Sequence, residues 1–260
     1  MLTPVSGVTA EKIADYARDR AGQTSRVGRL VSPASRNREL ATLRHALRLA
    51  CEWGYVEKVP RVRMAREPEG RLRFLSEDEA VRLLAACAAS GSPELLAVVT
   101  VALYTGMRRG EVLGLEWKRV DFSRGVLALE ETKSGRRREV PMNDAVHAAL
   151  TALGPRGSGR VFRTRSIRTA FERACREAKV YGFRFHDLRH TTASWLVMAG
   201  RSLKEVQELL GHRTFAMTLR YAHLSPDRLR DAVNALPVVG APKALSAEAP
   251  RERVAARNDM

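Results

Sequence analysis

The 260-residue chain is short of cysteine, of acidic charge and of long apolar runs, and each shortage narrows what it does. Cysteine occurs at Cys51, Cys87 and Cys175 only. The number is odd and no C-x-x-C spacing occurs, which argues against a disulfide framework or a zinc ribbon. All three lie in Ala/Leu/Arg helical patterns and read as small core residues, as a reducing cytoplasm would allow. No apolar run approaches the ~18 residues that span a bilayer, and no secretory h-region follows Met1. Walker loops, dinucleotide fingerprints and internal repeats are absent from the sequence. Acids number 29 against 45 Lys plus Arg, a formal net charge of +16. That imbalance favours a polyanionic partner, nucleic acid before a membrane surface. A composition that uses arginine merely for solubility is the other reading. Hydrophobic residues make up 45%, enough to bury a core.

Periodicity organises the rest. Residues 9–20 read as an amphipathic helix with Thr9 as N-cap. A second helix opens at Ser35 or Asn37 and runs to about Trp53, with Leu40, Leu43, Leu47 and Ala50 as its apolar stripe. Arg36, Arg38, Arg44 and Arg48 occupy other positions, a basic face that either meets phosphate or is simply solvated. Gly54 ends this helix. Residues 58–73 combine proline, glycine and dense charge, the signature of a linker. The expected division is a helical domain over 1–57, that linker, a larger domain over 74–236, and a disordered tail over 237–260.

Ser76 to Glu79 form a capping box that opens a helix to about Ala89. Helices follow over 93–104 and 108–114. From Trp117 to Met142 the period falls to two, giving strands over 117–122, 125–131 and 137–142 separated by S-R-G and K-S-G-R turns. Helices are expected again over 143–153, 165–178, 187–199, 202–210, 214–223 and 226–235. The fold class is mainly α with a small antiparallel β-sheet (α+β), in two domains.

Four stretches concentrate polar chemistry: T-G-M-R-R-G-E (105–111), T-K-S-G-R-R-R-E-V-P (132–141), H-D-L-R-H (186–190) and L-G-H…L-R-Y (210–221). They carry Arg108, Lys133, His186, Arg189, His212 and Tyr221. Cations and imidazoles around a phenol suit attack on a phosphodiester without a metal. Fixed donors stabilise the oxyanion, His and Lys move protons, and the phenol attacks. Each residue also has an ordinary reading. Arg108 and Glu111, one turn apart, form either a phosphate grip with its orienting acid or a surface ion pair. Lys133, with Arg136, Arg137 and Arg138, makes a hairpin tip that attracts phosphate under either reading. His186 and Arg189 share a face if a helix begins at Asp187, and that helix start also favours an anion. His190, four residues from His186, admits a two-histidine zinc site. The glutamate of H-E-x-x-H and a third ligand are missing, so no metal and no cofactor is expected. Ser202 and Glu205 cap a helix closed by Gly211, leaving His212 in a loop. Tyr221 lies on an amphipathic helix, where tyrosine is normally core or rim.

In this order the stretches resemble the tyrosine recombinase (phage integrase) family, over roughly residues 36–236. The resemblance implies a two-domain fold and a site-specific DNA recombinase that passes through a 3′-phosphotyrosine without metal or ATP. It makes Arg108 the first catalytic arginine, chosen over Arg109 by the T-G-x-R spacing, with Glu111 supporting it. Lys133 would enter the minor groove and protonate the leaving 5′ oxygen, while Arg136, Arg137 and Arg138 contact the backbone. His186 and Arg189 match the H-x-x-R pair, a proton-handling residue and a second phosphate-binding arginine. His190 would be structural, His212 would donate to the phosphate, and Tyr221 would be the nucleophile. Phenol titrates near ~10, and neighbouring guanidiniums are expected to lower that value. The implied partner is double-stranded DNA, held by a homotetramer on two sites, with no membrane; an accessory DNA-bending protein cannot be named. The segment S-P-A-S-R-N-R-E-L-A-T-L-R matches the last long helix of a core-DNA-binding domain, here expected to be shortened, with Arg36, Arg38 and Arg44 on DNA. A non-recombining DNA-binding remnant or regulator, and a topoisomerase using the same tyrosine chemistry, are the other functions on this scaffold.

Overall fold

A computed structural model describes residues 4–25, 28–68, 70–129, 137–154, 157–164, 166–226 and 233–237. The chain falls into two compact units, Met1–Arg71 and Leu72–Met260.

In the first unit a 3₁₀ turn at Val5–Gly7 leads into α1 (Ala10–Gly22) and α2 (Pro33–Glu52). Thr9 caps α1 by accepting from Lys12 N at 3.3 Å. The start of α2 corrects the expected one. Ser32 is the N-cap, its hydroxyl accepting from Ser35 N at 3.2 Å. Pro33 sits in the first turn, where its missing N–H is no loss. Ile13, Leu40 and Leu47 form the small core, with Val8, Ala17, Leu43, Val59 and Val62 against it. Polar ties supplement it. Arg20 grips Glu39 with Nη2–Oε1 at 2.8 Å and Nε–Oε2 at 3.0 Å. Asn37 exchanges two 2.8 Å hydrogen bonds with the backbone of Ala65, as a strand partner would.

The second unit comprises α3 (Glu77–Ala88), α4 (Leu95–Thr105), α5 (Arg109–Leu113), β1 (Val120–Asp121), β2 (Val126–Leu129), β3 (Arg138–Pro141), α6 (Asp144–Ala152), α7 (Arg168–Glu177), α8 (Asp187–Met198), α9 (Leu203–Leu210) and α10 (Ala216–Leu219). Its axis is α4, with nine of its eleven residues buried, packed on α3, α6 and α8. A helix apolar all round belongs inside. The sheet runs β1-β2-β3, each pair antiparallel, with Leu127 opposite both Val120 and Val140. Leu127 and Val140 face the core that surrounds α4. Cys87 and Cys175 are buried there, whereas Cys51 of the first unit is half-buried.

Three expected elements are corrected. The strand at 117–122 is a 3₁₀ helix over Trp117–Arg119 followed by the two-residue β1. Trp117 is buried and its N–H donates to Gly159 O at 3.0 Å, so it leaves the sheet. The helix at 165–178 begins at Arg168, after the buried Ile167. The helix at 214–223 splits into α10 and a 3₁₀ turn at Ala222–Leu224. Bonds of i→i−3 type, Thr218 N to Phe215 O and Tyr221 N to Thr218 O, tighten this stretch. Most of 226–235 and of the tail lies outside the described residues. Among those described, no helix is long and apolar enough to cross a membrane.

The described residues are therefore mainly helical, with one small antiparallel sheet among them.

Candidate active site

Two helix ends build the centre of this region. α4 stops at Gly106 and α9 at Gly211, both left-handed with φ of 63° and 64°. Their backbone oxygens converge on guanidinium groups. Arg189, in the first turn of α8, donates from Nη1 to Gly106 O and from Nη2 to Leu210 O, each at 2.7 Å. Arg108 donates from Nη2 to Gly211 O at 3.3 Å. The partial negative charge of a helix C-terminus suits a cation placed there. Only 4% of Arg189 is exposed. Burial, then the like charges of Arg108 and Arg138, push its guanidinium down to about 9. Among the described residues no carboxylate forms an ion pair with Arg189. The carbonyls fix its orientation, and the Glu111 carboxylate acts on it at a distance and against the larger effects of burial and like charge.

Arg108 is the N-cap of α5 and Glu111 stands in the first turn. Glu111 accepts from Arg108 N at 2.8 Å and from Arg108 Nη1 at 2.9 Å. The same carboxylate accepts Arg138 Nη2 at 2.9 Å and Nη1 at 3.3 Å. Burial acts to raise the Glu111 carboxyl, but the Arg108 backbone hydrogen bond and the Arg138 charge outweigh it and hold it below the usual range. The Arg138 side chain, at the start of β3, is 10% exposed. It fits because Gly211 has no side chain: a Cβ there would lie 2.4 Å from Arg138 Nη1. Arg138, expected on the DNA-facing strand, is thus a buried partner of Glu111, while Arg137 is exposed. Lys133 and Arg136 lie outside the described residues.

His212 follows α9, with Nδ1 2.8 Å from Thr218 Oγ1. Burial and the charges of Arg189 and Arg108 push it down to about 4. His186 stands at the rim, just before α8, and remains open to solvent. Partial desolvation and Arg189 lower its pKa. Its ring meets that of His190 edge-on, with centroids 5.2 Å apart. Beside it opens a cleft of about 900 Å³ whose wall includes Arg108, Arg109, Arg119, Arg168 and Arg184.

Tyr221 is 1% exposed, and its Oη lies 2.5 Å from His190 Nδ1. Burial raises the phenol pKa despite the opposing charges of Arg220 and Arg189. The expected lowering is therefore reversed in this structure, because desolvation outweighs the neighbouring guanidiniums. His190 is pushed down to about 4 by burial and then by Arg220 and His186. Its place against Tyr221, like the Arg138–Glu111 pair, was not visible in local spacing. The partners are 31 and 27 residues apart.

The family model described as "Phage integrase family" matches residues 73–228. The integrase of Haemophilus phage HP1 is 34% identical over 243 residues, 90% of this chain and 70% of its own length. The solved catalytic domain of HP1 integrase superposes with a TM-score of 0.57 at 36% identity, covering 65% of this chain and 98% of that one. The integrase of Salmonella phage P22 is 33% identical over 220 residues, 76% of this chain. The chain spans 56% of the P22 protein's length. The Tn1549 transposon integrase, solved in complex with a circular intermediate DNA, shares the fold with a TM-score of 0.70 at 20% identity, covering 90% of this chain and 87% of that one.

Proposed function

The chain belongs to the phage integrase family, and from that premise we propose that it is a site-specific DNA recombinase that cuts and rejoins strands through a 3′-phosphotyrosine. The observation that carries this reading is the mounting of Arg189. Its guanidinium is held by Gly106 O and Leu210 O instead of a carboxylate, so its charge is available to a phosphodiester. Arg108, steadied by Glu111, and His212 complete the cradle. In such a cradle donors are fixed before charge develops, which is where electrostatic catalysis gains most. Tyr221 attacks phosphorus, the Oη–P bond forms and the P–O5′ bond breaks. Lys133 gives the leaving oxygen its proton, and His186 handles protons at the rim. Bond energy stays in the phosphotyrosine, so a 5′-hydroxyl reverses the step without ATP.

Double-stranded DNA is the substrate. The net charge of +16 and the DNA complex of the Tn1549 integrase support that choice. Four protomers on two sites exchange the strands, and the work is done in the cytoplasm.

A nicked suicide substrate resolved on a denaturing gel tests the reading. The native chain should form a covalent adduct in the presence of EDTA. Tyr221→Phe should form none while binding the duplex within about twofold, since one oxygen is all it loses. Undiminished adduct in that variant would move the nucleophile, with the exposed Tyr181 the next candidate. Loss of cleavage in chelator, restored by magnesium, would overturn the metal-free chemistry.

A further inference from the structure

His190 has no task in the chemistry above, yet it touches the atom that does the attacking. We propose that His190 is the general base of the strand-cleavage step: it holds the Tyr221 phenol through Nδ1 and takes its proton as Oη attacks. This rests on the recombinase reading.

The geometry is specific. The 2.5 Å contact between Nδ1 and Oη joins two buried groups, 9% and 1% exposed, so water does not compete for either. Other imidazoles at the site are placed differently. His212 Nδ1 is engaged by Thr218 Oγ1, and His186 presents its ring to His190 and to solvent. Among the described residues His190 is the side chain within hydrogen-bond distance of Tyr221 Oη. For Nδ1 to accept, the imidazole must be neutral with its proton on Nε2. Burial and the charges of Arg220, His186 and Arg189 keep it so, against the pull of Asp187. A phosphodiester held by Arg108 and Arg189 adds negative charge beside those cations. It thereby raises the proton affinity of the ring when the proton has to move.

Chain order adds a further reason. Arg189 and His190 are successive residues of α8. One helix therefore sets the distance between a phosphate grip and the group that aims the nucleophile. Positioning of this kind is worth most when both groups ride on one rigid element. The step balances. The Oη–H bond breaks and its proton passes to Nδ1, giving imidazolium. The electron pair left on Oη forms the bond to phosphorus. The P–O5′ bond breaks, and that oxygen is protonated by Lys133. On rejoining, the imidazolium returns its proton to the departing phenolate.

Single-turnover adduct formation on the suicide substrate tests the assignment. His190→Asn keeps an acceptor near the place of Nδ1 without basicity, and His190→Phe removes both. Each should slow adduct formation by about 10²-fold or more, the range lost with a general base, with duplex binding retained. His190→Ala should be slow and regain at least about tenfold when imidazole is added, whereas imidazole should do nothing for Tyr221→Phe. Native rates in His190→Phe would overturn the proposal. So would full activity in His190→Asn joined to an Ala variant deaf to imidazole, because the residue would then only position the phenol. A native chain that forms no adduct would defeat the recombinase reading itself. A competent native chain with unaffected variants would defeat only the assignment of His190.

Discussion

Arg189 lies 4% exposed between two helix ends, whereas Arg38 and Arg44 stand in solvent on α2. The contrast follows the size of the core available to each unit. In Leu72–Met260 the large cluster around α4 fixes α4 and α8 firmly enough to bury a cation with matched acceptors. In Met1–Arg71 the core is Ile13, Leu40 and Leu47 with a few neighbours, and most arginines of α2 stay outside. Arg36 is the exception. It is half-buried, its Nη1 donating to Ala17 O at 3.4 Å. A buried, oriented guanidinium supplies geometry. An exposed one supplies affinity for a polyanion, and salt weakens it.

The largest expected effect tests the first half of that contrast. Arg189→Ala strands the Gly106 and Leu210 carbonyls and removes the proposed phosphate grip. Adduct formation should fall by ~10³-fold or more. Stability to urea should fall by about 2–4 kcal/mol, since buried acceptors are left unpaired. Arg189→Lys should restore little, because a single ammonium cannot reach two diverging carbonyls as a fork does. A loss under tenfold in Arg189→Ala would mean that the buried charge is structural only.

A second test uses acid. Burial, helped by neighbouring cations, holds His190 and His212 at about 4, below the ordinary ~6.5. Both folded values are depressed, so the unfolded chain takes up these protons first. The stability they contribute is therefore full above ~6.5 and drains away as pH falls toward 4. For the buried His190 the loss between pH 7 and 5 should be on the order of 2 kcal/mol, with less from the partly open His212. Urea midpoints at the two pH values measure it, and His190→Phe should flatten the curve. A midpoint indifferent to pH in the native chain would show that neither ring is held neutral by the fold.

The smallest effect separates the two kinds of arginine directly. Removing Arg38 and Arg44 together should lower the salt slope of duplex binding by about 2. It should change stability by less than ~0.5 kcal/mol and leave the adduct rate at saturating DNA alone. Arg138→Ala should do the opposite, slowing adduct formation through Glu111 and Arg108 while the slope holds. A slope lowered by Arg138→Ala as it is by Arg38→Ala would break the contrast.

Local signals in the sequence were the ones that carried through to the fold. The S-E-D-E and S-L-K-E boxes do cap α3 and α9, and period two between 117 and 142 marks a real sheet. Elements decided by tertiary contact were not legible: Trp117 leaves the sheet to fill the core, and α10 is cut short by its tightened i→i−3 turns. The same holds at the candidate site. The four motifs could be read in order, but the Arg138–Glu111 and His190–Tyr221 pairs join segments that no local period connects. The direction of the phenol shift was missed for a related reason. Charges can be counted along a chain, while the desolvation that outweighs them depends on a burial that only the fold creates.

Gly106 and Gly211 close the last turns of α4 and α9, and each abuts a remote segment. A Cβ at the first would meet Leu210 Cδ2 at 2.3 Å, and one at the second would meet Arg138. Helix ends are also where helices fray first. Loosening a single turn of α9 would carry Leu210 O and Gly211 O away from Arg189 and Arg108 together, with the core around α4 untouched. On warming, catalytic competence should therefore disappear while most of the helix content survives, which makes the activity a finer thermometer of local order than the melting of the fold.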